Sequence, residues 1–113
     1  RNNSLFLGKF ENIEIVGYTS RFSHSYDISE SDAFISVTKG YGSYIDSKNE
    51  GVRKNNLFGT YLLGPFLIQN PLFTEYLMKL LGVENPKLAF KDDIMKAYDI
   101  RLNEFKKDIV FAE

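Results

Sequence analysis

The chain has 113 residues, enough for one hydrophobic core and too few for two ordinary domains, so residues 1–113 read as a single unit. Apolar residues make up 43% and aromatics 15%, all of them Phe and Tyr, which excludes a disordered segment. A net charge of -1 and a pI near 5.9 give no positive field for nucleic acid or anionic lipid, and the lack of cysteine excludes disulfides, thiol catalysis and cysteine metal sites within these residues.

The chain starts at Arg1, without Met, in residues that resemble a loop entering a strand, so an upstream part is expected. Leu5 to Phe10 and Ile13 to Ser20 are rich in strand formers and flank a Glu-Asn turn, which predicts two short strands. After the polar stretch Tyr26 to Asp32, the residues Phe34, Ile35, Val37 and Thr38 predict a third strand, ended by Gly40 and Gly42. Ser43 to Asn56 is polar and aperiodic and reads as a loop, with an extended piece around Val52.

"LFGTYLL" at residues 57–63 is apolar without alternation, the pattern of a central strand covered on both faces. Asn70 and Pro71 then form a helix start, with Asn70 as cap. Leu72, Phe73, Tyr76, Leu77, Leu80 and Leu81 fall on one stripe, Glu75 and Lys79 are spaced to pair, and Gly82 is the stop. Asn85 and Pro86 repeat the device and open at most a single turn. A last helix spans about Lys91 to Lys107, with Asp92 and Asp93 at its start, Lys106 and Lys107 at its end, and Ile94, Ala97, Tyr98, Leu102 and Phe105 facing inward. The fold class is α/β, about four strands followed by two helices.

The longest apolar stretch, Leu57 to Ile68, is short of a bilayer span and broken by Gly59, Gly64 and Pro65, and no cleavable apolar segment opens the chain. A membrane partner is not expected, and the cytoplasm is the expected compartment.

The spacing of Glu50-Gly51, Gly59-Thr60-Tyr61, Gly64-Pro65 and Asn70-Pro71 resembles the C-terminal signature of class I glutamine amidotransferase domains of the cobyric acid synthase type. That type includes the glutaminase subunit serving lipid II amidation. The likeness covers roughly Glu50 to Leu81, with Val16 to Tyr26 a weaker match. It implies an α/β domain of which this chain is the C-terminal part, with a Cys attacking the glutamine amide. A His on the strand-to-helix turn takes the thiol proton, and ammonia passes to a partner synthetase. An amide is a poor electrophile and a neutral thiol a poor nucleophile, so a base must sit within reach of the sulfur.

The family's His position, between Leu62 and Gly64, is Leu63 here, and an isobutyl group can accept no proton. The resemblance thus implies a glutamine or amide ligand held near Gly59, Thr60, Tyr61, Leu63 and Gly64, with no catalytic residue in this chain. The alternative is a catalytically silent ligand-binding or protein-interaction subunit of the same fold. Expected partners are a ligase or synthetase subunit and the missing N-terminal part or a second copy, through the apolar edge of an incomplete parallel sheet.

His24, flanked by Ser residues, is a substitute base in one reading and an ordinary loop residue in the favoured one. Taken without the resemblance, Gly59, Gly64 and Pro65 serve a sharp bend and Tyr61 serves the core. Asp46 and Glu50 lie on a polar loop and Asp92 and Asp93 at a helix start, so they form no metal or paired-carboxylate set; no metal or cofactor is expected.

Overall fold

The computed structural model describes residues 2–109 and 111. Five strands, β1 (Asn2–Phe10), β2 (Ile13–Arg21), β3 (Ala33–Lys39), β4 (Asn49–Lys54) and β5 (Leu57–Gly59), form one sheet in the order β2-β1-β3-β4-β5. Helices α1 (Phe66–Gln69), α2 (Pro71–Leu80) and α3 (Lys91–Lys106) follow, giving an α/β fold with strands first.

Every strand pair is antiparallel, which corrects the expectation of a parallel sheet. The cause is connection length: two-residue turns at Glu11-Asn12 and Asn55-Asn56, with Glu11 and Asn55 at positive φ, join neighbours directly, whereas parallel strands need long crossovers. The extended piece foreseen around Val52 is a full strand, β4.

β5 is short and lies at the outer edge, not at the centre. Its apolar run continues extended through residues 60–63 and reaches the opposite edge, where the Leu63 N–H donates to the Tyr18 carbonyl at 2.9 Å. Gly59 pairs with Val52 and Leu63 with Tyr18, so at about 3.3–3.6 Å per residue the two sheet edges come within about 14 Å. The sheet is therefore curled, and the run is apolar because Phe58 and Leu62 turn into the core while Leu57 and Leu63 face outward.

The concave face packs on α1 and α2, and the opposite face on α3. On the first, Phe6, Phe10, Ile15, Phe34, Leu62 and Phe73 are buried together. Phe73, 2% exposed, sits 5.2–5.8 Å from the rings of Phe10, Phe34, Phe58 and Phe66. On the second, Leu7 and Val16 meet Tyr98 and Leu102. Lys39 of β3 donates to the carbonyls of Phe105, Lys106 and Lys107 at 2.9–3.2 Å and caps the C-terminus of α3 with charge of the favourable sign.

The boundaries of α2 and α3 agree with the sequence, whereas the sheet has five strands where about four were expected, the single-turn helix α1 was not foreseen and several side chains act differently. Asn70 does not cap α2. Its fully buried amide accepts from the Val16 N–H and donates to the Val16 carbonyl, both at 2.8 Å, filling the open edge of β2 as another strand would. Glu75 pairs with Lys91 at 3.1 Å, tying α2 to α3, rather than with Lys79. Leu72, Leu80 and Leu81 are exposed, Met95 packs on the α3 side while Ala97 is exposed, and Asn85-Pro86 opens no helical turn.

Candidate functional site

Gly59, Thr60 and Tyr61 form one wall of a cavity of about 230 Å3. Gly51 and Val52 of β4 form a second wall, and Ser25, Ile28 and Ser43 complete it. Gly51 is required by geometry: its φ is +73°, and a Cβ there would meet the Gly59 carbonyl oxygen at 2.2 Å. A second, more polar cavity of about 260 Å3 adjoins it, sharing Ser25, Ile28, Ser43 and Gly51 and adding Asp27, Ser47 and Asn49.

Leu63 and Gly64, placed with these residues by the motif, do not line either cavity. Leu63 is 43% exposed, on the segment that runs from β5 past β2. His24 is half-buried on the loop after β2, its ring 6.2 Å from that of Tyr26, and lines neither cavity.

The structure adds residues that sequence reasoning missed. Glu50, read as a loop residue, is 0% exposed within β4. It lies opposite Ile35 and so shares the concave face. Its carboxylate accepts a short hydrogen bond from Thr60 Oγ1 and longer ones, at 3.3 and 3.4 Å, from the Tyr61 N–H. Burial pushes its pKa up, against the opposing pull of Thr60, the Tyr61 N–H and the positive charge of Arg21.

Arg21, the last residue of β2, lays its guanidinium 4.2 Å from the centre of the Tyr61 ring and donates through Nη2 to the Gly42 carbonyl. Burial holds its pKa below the usual value, with Glu50 acting in the other direction. Tyr61 in turn bonds Ser25 through its hydroxyl at 2.8 Å. Hydrogen bonds from Ser23 and Ser25, aided by Arg21, lower its pKa against burial. The result is a buried cation and a buried carboxyl group beside a phenol; Tyr61 lines the first cavity, whereas Arg21 and Glu50 line neither. Glu50 and Tyr61 belong to the spacing that carries the resemblance, whereas the only sequence signal for Arg21 is the alternation of β2, which puts it on the same face as Ile15 and Gly17.

Asp46, Asp92 and Asp93 do not join Glu50, and the described residues hold no group of three or more His, Asp or Glu that could bind a metal ion. No helix among them is long and apolar enough to cross a membrane.

No family model matches the chain. A stretch of 43 residues, 38% of the chain, is 49% identical to the GatD subunit of the glutamine-hydrolysing lipid II isoglutaminyl synthase of Staphylococcus aureus (strain N315). The match spans 18% of that protein's length, so the chain is similar, in part, to a glutamine amidotransferase-type subunit.

Proposed function

We propose that residues 1–113 form the C-terminal part of a glutamine amidotransferase-like subunit that supports a synthetase and does not itself hydrolyse glutamine. The observation that carries this reading is Leu63. In a stretch that resembles the family's Gly-Thr-Tyr turn, the position of the base holds an aliphatic side chain on the surface. No thiol is present in these residues either. Loss of a general base lowers a rate by about 10²- to 10⁴-fold where the rest of a site survives.

The retained part is the cavity walled by Gly59, Thr60 and Tyr61, which supports a role in holding a small polar or amide ligand. Exposed Leu63, just before α1, and Leu67, Ile68 and Leu72 on α1 and α2 suit contact with the rest of the domain or with a synthetase subunit in the cytoplasm.

Ammonia release from glutamine by the full-length protein, alone and with its synthetase partner, tests the reading. The expected result is no release above the uncatalysed background. Release at rates typical of a glutaminase would overturn it. A gain of activity in Leu63→His would show that every other part of the amidase machinery is in place.

A further inference from the structure

The concave face ends in donors without acceptors. Arg21 is 7% exposed and Thr19 fully buried, yet Arg21 Nε and Nη1 and Thr19 Oγ1 have no hydrogen-bond partner among the described residues. Buried polar groups are nearly always paired, and an unpaired charged donor is the costliest exception. The two residues stand two apart on β2 and therefore point to the same face.

Glu50 does not accept from these donors. Its oxygens take hydrogen bonds from Thr60 and the Tyr61 N–H, while Arg21 Nε and Nη1 stay unbonded. Two N–H groups of a cation and one hydroxyl call for an acceptor that is negatively charged and offers several lone pairs; a carboxylate meets that description. Neither Arg21 nor Thr19 lines the nearest cavity, but the residues beside Arg21 reach it. Tyr61 touches both the guanidinium, at 4.2 Å, and the cavity of about 230 Å3, and Gly42, which binds Nη2, adjoins cavity-lining Ser43.

We propose that this end of the concave face is a receptor for a small organic carboxylate, entered through the cavity beside Ser25 and Tyr61 and bound by Nε and Nη1 of Arg21 with Thr19 Oγ1. The assignment is independent of the amidotransferase likeness and of Leu63.

Calorimetric titration of the full-length protein with succinate at fixed ionic strength, with chloride and phosphate as comparison anions, tests it. Saturable binding of succinate is expected, weakened about tenfold or more in Arg21→Lys, which keeps the charge and loses the planar fork. An equal response to chloride, a preference for phosphate, or undiminished binding by folded Arg21→Lys overturns the proposal. Should that variant not fold, the wild type decides by NMR. Nuclear Overhauser contacts from the succinate methylenes to the Tyr61 ring and the Thr19 methyl support the site, and their absence at saturation overturns it.

Discussion

At one end of the concave face, Phe10, Phe34, Phe58 and Phe73 meet mostly edge to face and satisfy one another; at the other, Thr19 and Arg21 are as deeply buried and keep donors without partners among the described residues. The same curled sheet shields both. Aromatic packing gains from every neighbour and needs no outside group, whereas a buried donor needs an acceptor of the right kind at the right place. The contrast separates the part of the molecule that holds the fold from the part that is available for a ligand.

The comparison breaks most severely if the aromatic end is not the stabilising one. Phe73→Ala removes the ring shared by both sides of that cluster and is expected to cost about 3–5 kcal/mol, measured by urea unfolding. A cost near zero would mean that α2 does not hold the sheet. At the boundary between the two ends, Asn70→Ala strips the N–H and the carbonyl of Val16 of their partners. It should cost about 2–3 kcal/mol, with faster amide exchange at Val16 as the local sign.

The polar end is sharpened by pH. Because burial raises the Glu50 pKa in the folded state, folding favours its protonated form. That contribution is fully present below the ordinary carboxyl value of 4.5 and is lost as pH rises through the folded value. Wild-type stability is therefore expected to decline relative to Glu50→Gln as pH increases from about 4.5, read from melting temperatures of both proteins across pH. Parallel profiles would remove Glu50 from the account. The smallest effect is expected at Leu63→Ala, within about 0.5 kcal/mol by urea unfolding, since that side chain is exposed and lines no cavity.

Much of the framework was legible in the residues. The Glu11-Asn12 turn between two strand-forming runs, the span of α2 from Pro71 to its glycine stop, and the acidic start and basic end of α3 each depend on neighbours within a turn or two. The site was legible only in part. The Gly59-Thr60-Tyr61 motif marks a cavity wall, but Glu50 sat in a stretch whose polarity resembles a loop, and Arg21 lay just past the predicted end of a strand, with its alternation with Ile15 and Gly17 as the one trace of its burial.

Local chemistry by itself determined the first hairpin and the two longer helices, because propensity, capping and periodicity act over a few residues. Tertiary structure alone decided that Asn70 would serve a strand 54 residues away rather than its own helix. It also decided that β5 would lie at an edge and that Lys39 would cap α3. Those outcomes turn on which unpaired backbone groups and buried charges the curled sheet brings within hydrogen-bond reach, a distance set by the path of the whole chain.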